Sequence, residues 1–216
     1  MKTWDLGVRL FHWALVATIA LAFLSSEEDG PLAAWHVSAG WVAAVLIVFR
    51  LLWGFVGGEH ARFVNLVRLS RIPGHVRGLF AGRVHASIGH NPLGGIAVLV
   101  LLALISATVF TGNTGGEEPH ELIAWTLLAM IVLHVVAVVA MSFLTRDNLI
   151  GAMVMGRKKT THFPNAQDAR PPARAAIPLA AVVVASSAFV ATQIDPEAFT
   201  PGARAEVGEG GEADED

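Results

Sequence analysis

Five long apolar segments are the feature of this sequence that most restricts the folds open to it. A helix needs roughly 20 mostly apolar residues to cross a hydrocarbon layer of about 30 Å. Segments of about this length and character run over 8–24, 32–56, 92–111, 120–144 and 175–192. The last of them is short, rich in alanine and contains Pro178. We therefore predict an all-α integral membrane protein, with a four-helix bundle and a fifth, C-terminal transmembrane helix.

The composition supports a membrane location and narrows the cofactor chemistry. Only 15% of the residues are charged, compared with about 25% in a typical soluble domain. The chain has no cysteine, which excludes disulfides, thiolate-bound zinc, iron–sulfur clusters and covalently attached haem. Any metal must therefore be held mainly by the nine histidines. Eight of the eighteen acidic residues lie within 195–216, so the net charge of −3 gives no indication of a nucleic-acid partner.

Arginine and lysine are distributed unequally among the connections between the apolar segments. The connections after the second and fourth segments carry most of them, whereas those after the first and third are short and acidic. Because basic connections stay in the cytoplasm, this pattern places the N-terminus inside and the C-terminus outside. We predict a transmembrane domain over 1–160, a cytoplasmic linker over 161–174, the fifth helix over 175–194 and an acidic disordered tail over 195–216.

Four histidines lie in or at the edge of the apolar segments: His12, His36, His120 and His134. Ionisable side chains inside a membrane are costly and mark functional sites, so each of these histidines needs a partner. His120 and His134 are 14 residues apart, which brings a helix back to within about 40° of its starting direction after a rise of about 21 Å. Depth in the membrane then pairs His36 with His120 near the outer surface and His12 with His134 near the inner surface.

Two such pairs suit haem better than zinc. A haem ring takes one axial nitrogen on each face and needs an apolar pocket, whereas zinc requires three or four converging ligands. We therefore predict two haems, each held between two histidines. A cleaved signal peptide, which Lys2 and Arg9 before an apolar run would also fit, would remove His12. The alternative from another functional class is a haem-free transporter or assembly factor whose histidines relay protons or bind a metal.

Three residues are candidates for contacts with the predicted haems. Gly40 lies one turn after His36, where the lack of a side chain would let a flat ring approach the helix, although glycine also serves helix packing. Arg50 lies 14 residues after His36, at the inner end of the same face, and Arg9 lies three residues before His12. Either guanidinium group could bind haem carboxylates, or it could anchor its helix at the membrane surface.

His90 and Asn91 form a candidate quinone site at the start of the third apolar segment. They are polar groups at its inner edge, followed by Pro92 and by Gly94 and Gly95, which leave room for a ring near the backbone. A quinone that exchanges protons needs hydrogen-bonding groups close to a haem. The other interpretation is that Asn91 caps the helix and His90 is exposed.

Short motifs around these residues follow one another in a familiar order. They are WDLGVRLFHW at 4–13, HVSAG at 36–40, FR at 49–50, WG at 53–54, HARF at 60–63 and GHNPLGG at 89–95, followed by His120 and His134. Together they resemble the bacterial cytochrome b561 family, which includes the b-type cytochrome subunits of nickel–iron hydrogenases. The resemblance covers roughly residues 3–160, with Gly7 where many relatives have proline, a difference that we expect to leave the ligands unaffected.

The resemblance implies a four-helix core that holds two haems b in the bacterial cytoplasmic membrane. It implies the same ligand pairs, His12 with His134 and His36 with His120. Its expected function is the transfer of electrons between a membrane quinone pool and a redox partner, rather than the conversion of a substrate. A hydrogenase, another dehydrogenase or a periplasmic cytochrome c could each be that partner.

Overall fold

The computed structural model describes residues 1–27, 30, 32–66, 72–81 and 86–202. Five of the helices in this part of the chain are long and apolar enough to cross a membrane: α1 (Leu6–Leu24), α2 (His36–Val56), α5 (Pro92–Asn113), α6 (Glu117–Thr145) and α8 (Ala176–Ile194). The shorter helices are α3 (Phe63–Leu66), α4 (Ile72–Phe80) and α7 (Leu149–Met155). The described residues contain no β-strand. The predicted all-α class is confirmed, and five helices have the length and apolar character that a membrane span requires.

The helix ends follow from local capping chemistry. The carboxylate of Asp5 accepts a hydrogen bond from the Val8 amide at 2.9 Å and thereby caps α1. At the start of α6, Glu117 and Glu118 lie in the first turn, where negative charge is favourable, so the helix begins earlier than predicted. Pro178 lies in the first turn of α8. An amide hydrogen in the first turn would have no acceptor within the helix, so the missing N–H of proline costs α8 no hydrogen bond.

Helix α2 is the centre of the bundle. It packs against α1, α5 and α8, whereas α6 packs mainly against α5 and α7. Helix α8 runs antiparallel to α2. At one end Trp41 Nε1 donates to Asp195 Oδ2 at 2.9 Å, and at the other end Ala176 and Ala180 share an apolar cluster with Trp53. The fifth helix therefore lies along the whole length of α2.

The connections gather at two ends of the bundle. The basic end, as we call it, contains the N-terminal residues 1–5, the residues 57–66 and 86–91, and the residues 146–175. Backbone hydrogen bonds join these segments, for example from Thr3 N to Gly156 O at 2.9 Å and from Glu59 N to Arg170 O at 3.0 Å. The described residues 25–27, 30, 32–35 and 114–116 form the opposite, acidic end.

The start of the predicted acidic tail is ordered and packs on the acidic end. Ala198 is fully buried in a cluster with Trp41 and Ala191, and Gly202 N donates to Ala34 O at 3.1 Å. The composition predicts disorder from residue 195 onward. For residues 195–202 that prediction is wrong, because these residues find an apolar surface on α2 that is not visible in their own composition. Residues 203–216 lie outside the described residues.

A central apolar cluster joins the four core helices halfway between the two ends. Its buried members are Phe11, Ala43, Ile47, Leu102, Ile105 and Leu127. Ala43 lies seven residues after His36, and Leu127 lies seven residues after His120 and seven before His134. Because seven residues make about two helical turns, these histidines share a helix face with residues that are buried inside the bundle. The cluster separates the two predicted histidine pairs.

Candidate functional site

His36 and His120 lie next to each other at the acidic end. Their ring centroids are 6.0 Å apart, and the ring planes make an angle of 81°. His36 Nδ1 lies 2.8 Å from Ala22 O, and His120 Nδ1 lies 3.0 Å from Thr108 O. A carbonyl acceptor requires the hydrogen on Nδ1, which leaves the lone pair on Nε2 free for a metal. Both rings are therefore held in the tautomer that axial ligation by Nε2 requires.

The space around this pair fits a metal held between two axial nitrogens. Two metal–nitrogen bonds of about 2 Å, added to the distances from each nitrogen to its ring centre, give roughly 6 Å between centroids. At Gly40, no described atom apart from its chain neighbours and its own helix backbone lies within 4 Å of the point where a Cβ would stand, which leaves room for a flat ring. A Cβ at Gly112 would lie 3.1 Å from His120 Nδ1, so this glycine lets the imidazole pack against α5.

A zinc-type arrangement is absent from the described residues. They contain no cluster of three or more histidine, aspartate or glutamate side chains that could hold an ion together. The histidines instead occur in pairs on different helices, which is the arrangement that an axially ligated haem requires.

His12 on α1 and His134 on α6 approach each other toward the basic end. Their imidazoles are close enough to interact electrostatically. His12 Nδ1 is buried and has no hydrogen-bond partner, and the ring packs edge-on against Trp13 at a centroid distance of 5.0 Å. A buried nitrogen without a partner is costly. His12 therefore lacks, among the described residues, a carbonyl partner of the kind that fixes the tautomer of His36 and His120.

Arg50 is a buried cation that forms no ion pair among the described residues, although the Asp5 carboxylate is close enough to interact with it electrostatically. Its residue is 2% exposed, its guanidinium lies 4.8 Å from the centre of the Phe63 ring, and its Nη1 has no hydrogen-bond partner. A buried charge without a counter-charge lowers the free energy of unfolding by several kcal/mol. The surroundings of Arg50 therefore favour a carboxylate ligand, and a haem propionate is one such carboxylate.

His90 lies beside this arginine, under the ring of Trp4. The two ring centroids are 4.7 Å apart, and His90 Nδ1 is buried without a hydrogen-bond partner. Burial, and to a lesser extent the positive charge of Arg50, lower the pKa of His90 to about 3. The ring is therefore neutral at physiological pH, with one buried nitrogen available to a ligand.

Two predicted site residues are engaged elsewhere. The guanidinium of Arg9 donates to Met153 O at 3.3 Å and to Val154 O, and this geometry does not support its predicted role at a propionate. Asn91 Oδ1 accepts from Gly94 N at 2.6 Å at the start of α5. The capping interpretation of Asn91 is thus confirmed, and only its side-chain nitrogen remains for another ligand.

Asp5 organises the basic end in a way that the sequence analysis missed. Besides capping α1, its carboxylate accepts from Trp53 Nε1 at 2.9 Å and from Gly58 N at 3.1 Å. A Cβ at Gly7 would lie 2.5 Å from the Trp53 ring. Gly7 therefore lets this tryptophan reach Asp5. The acidic residue just before an apolar segment was the one available signal, since it is typical of a helix cap.

The fold and the paired histidines define the class: a multi-pass helical membrane protein with candidate metal ligands at two depths of its bundle. The family model described as prokaryotic cytochrome b561 matches residues 3–156. The chain belongs to this family and is a membrane b-type cytochrome that functions in electron transfer. The family implies haem b as the cofactor. Helix α8 lies beyond the matched residues.

Curated relatives support the same class at low identity. A protein of Azotobacter chroococcum mcd 1 named "Probable Ni/Fe-hydrogenase B-type cytochrome subunit" is 26% identical, in an alignment that covers 71% of this chain and 86% of the relative. A protein of Escherichia coli (strain K12) named "Probable Ni/Fe-hydrogenase 1 B-type cytochrome subunit" is 25% identical, in an alignment that covers 69% of this chain and 86% of that protein. No solved structure matched the chain.

Proposed function

We propose that the chain is a di-haem electron carrier, with one haem b held by His36 and His120 and a second by His12 and His134. The supporting observation is the 6.0 Å separation of His36 and His120, with both Nδ1 atoms bound to main-chain carbonyls. Haem iron, when bound, gains and loses a single electron. The four histidines would supply the nitrogen ligands of the iron, and the central apolar cluster lies between the two pairs.

Arg50 is the residue that we propose to bind a haem propionate at the basic end. Its buried Nη1 would make a charge-assisted hydrogen bond with a carboxylate. This bond would satisfy the guanidinium and hold one edge of the ring. His90 is the hydrogen-bonding group that we propose for a quinone near the start of α5. Asn91 would contribute only its side-chain nitrogen, because its oxygen caps the helix.

The redox partner that we propose is a hydrogenase, because the relatives carry that word in their names. Another dehydrogenase or a periplasmic cytochrome c could accept or donate electrons in place of a hydrogenase. We also propose that the protein lies in the bacterial cytoplasmic membrane, with the basic end in the cytoplasm and the end of α8 in the periplasm. The basic residues of that end support this orientation.

Haem content and reduced-minus-oxidised spectra test the ligand pairs. We expect two non-covalent haems per chain. His36→Ala or His120→Ala should remove one spectral component, and His12→Ala or His134→Ala the other. A His162→Ala control, in the predicted linker, should keep both. Two haems with unchanged spectra in His134→Ala would refute the pairing, and a protein without a chromophore would support the haem-free transporter.

Quinol-driven haem reduction tests the quinone site. His90→Leu should slow the reduction by roughly tenfold or more while both haems remain, since a positioned proton acceptor commonly contributes at least that much. Asn91→Asp keeps the helix cap but lacks the side-chain nitrogen, so it should slow the reduction as Asn91→Leu does, which separates loss of the quinone contact from loss of the cap. Undiminished rates in both leucine variants would place the quinone elsewhere.

A further inference from the structure

A large cavity lies between α1, α2 and α8, outside the histidine sites. Its volume is about 840 Å³, and none of the four paired histidines lines it. Its walls are mainly apolar and include Leu10, Ala14, Val45, Leu46, Ala181 and Val184. One wall is therefore α8, the helix that lies beyond the residues matched by the family model.

The cavity reaches from the basic end to about the middle of the membrane. On α8 its lining runs from Ile177 to Val184, and on α1 from Leu6 to Ala14. At 1.5 Å per residue these stretches are roughly 10–12 Å long, close to the depth of one leaflet in a hydrocarbon layer of about 30 Å. A smaller apolar cavity continues from Val45 toward the acidic end and has no charged residue in its lining.

Exposed basic side chains border the cavity where it opens at the basic end. Lys2 and Arg157 are joined by an isolated β-bridge, and Ala169 N donates to Lys2 O at 3.0 Å, which brings Arg170 to the same rim. Lys2, Arg157 and Arg170 are all exposed. The structure gives none of these three side chains an ion-pair partner within the described ranges.

The acidic residues at this rim are already engaged in hydrogen bonds. Asp168, next to the lining residue Ala169, accepts from the Lys2 amide at 2.7 Å, and the two acidic residues in the lining itself are Asp5 and Glu59. Asp5 accepts from the amides of Val8 and Gly58 and from Trp53. Glu59 accepts from the Arg170 amide at 3.0 Å, and this bond lowers the pKa of the Glu59 carboxyl. Four basic residues, Lys2, Arg9, Arg157 and Arg170, thus line the cavity against two acidic ones. The opening therefore carries an excess of positive charge.

We propose that this cavity binds one acidic phospholipid of the leaflet at the basic end. Its phosphate would lie near Arg157 and Arg170, and an acyl chain would follow the apolar wall of α8. Basic pockets between transmembrane helices favour anionic headgroups. A neutral quinone would leave these guanidinium groups without an anion, so the phospholipid is the occupant that matches both the charge and the depth. The proposal does not depend on the haem assignment.

Lipid retention and titration test the proposal on the full-length protein purified with its haem. Native mass spectrometry after detergent exchange should show wild-type protein retaining phosphatidylglycerol above its proportion in the membrane. Phosphatidylglycerol titrated into delipidated protein should bind roughly thirtyfold more weakly to an Arg157→Gln, Arg170→Gln double variant. Arg77→Gln, an exposed arginine on α4, is the matched control and should bind as the wild type does.

A second variant tests the apolar part of the cavity. Ala181→Trp should fill the wall beside α8 and weaken phosphatidylglycerol binding while the rim charges stay in place. An unchanged visible spectrum identifies folded protein in each variant. The proposal fails if the wild type retains acidic and zwitterionic phospholipids in their membrane proportions, if the double arginine variant binds phosphatidylglycerol as the wild type does, or if the cavity retains a quinone instead.

Discussion

The buried ion pair between Lys158 and Asp147 shows how the basic end is held together. Lys158 Nζ lies 2.7 Å from Asp147 Oδ2, and the two side chains are 1% and 5% exposed. The same ammonium group donates to Ser87 O at 2.8 Å. These contacts join the end of α6, which carries His134, to the segment that carries His90. Lys158→Met would keep most of the side-chain volume but leave the Asp147 carboxylate buried without its cation.

The expected cost follows from this burial. Removing one partner of a buried ion pair costs about 3–5 kcal/mol. For a chain of this size, each kcal/mol shifts the unfolding midpoint by about 2–4 °C, so Lys158→Met should lower it by roughly 6–20 °C. A double variant with Asp147→Leu removes both charges and should recover most of that loss. About 1 kcal/mol should remain lost, because Ser87 O no longer receives its hydrogen bond.

Thermal unfolding in detergent, followed by haem absorbance, measures these differences. Lys159→Met, at the exposed neighbouring lysine, is the control and should melt as the wild type does. In Lys158→Met, we expect the spectral component assigned to His12 and His134 to be lost before the one assigned to the acidic end. A midpoint within about 2 °C of the wild type, or a double variant no more stable than the single one, would refute the reasoning.

Three further predictions concern the fifth helix, the orientation and the pH dependence of stability. Asp195→Ala removes the acceptor of the Trp41 hydrogen bond and should lower the free energy of unfolding by about 1–2 kcal/mol; an unchanged melting curve would contradict this. Reporter fusions should place Arg77 in the cytoplasm and both Glu117 and the chain after Asp195 in the periplasm; a cytoplasmic tail would show that α8 does not cross the membrane. The pKa of His90 falls from 6.5 to about 3 on folding, so the unfolded state takes up the proton at a higher pH than the folded state does. Stability should therefore decrease as the pH falls from about 7 toward about 3. Melting of His90→Gln should depend less on pH over this range, and an equal dependence would exclude His90 as its source.

The spanning helices could be predicted because the free energy of transfer into lipid depends on each residue's own side chain. The start of α5 was visible as well, since Asn91 and Pro92 together are typical of a helix N-terminus. The short helices α3 and α7 had no comparable signal, because each has too few residues for a membrane span or a clear periodicity. Pro178 made the fifth segment look interrupted, whereas its place in the first turn makes it compatible with a helix.

At the candidate site, the sequence predicted which histidines belong together but not how they are held. The depth of His36 and His120 in the membrane follows from their positions in two helices that start on the same side. Their Nδ1 acceptors are the main-chain carbonyls of Ala22 and Thr108. Every residue has such a carbonyl, so no side-chain pattern could identify these two. The spacing of Arg9 from His12 predicts a haem contact, but its guanidinium donates to carbonyls of α7 instead.

The sequence by itself determined the number of spanning helices, the absence of thiolate chemistry and the two depths at which histidines occur. Only the tertiary structure decided that α8 packs along α2, that Lys158 meets Asp147, and that a cavity with a basic rim opens beside α1. In lipid there is no hydrophobic force that drives one apolar helix against another, so helix pairing depends on the fit of small and large side chains and on a few hydrogen bonds. These contacts connect residues that are far apart in the chain, such as Trp41 and Asp195, so they cannot be predicted from the local composition.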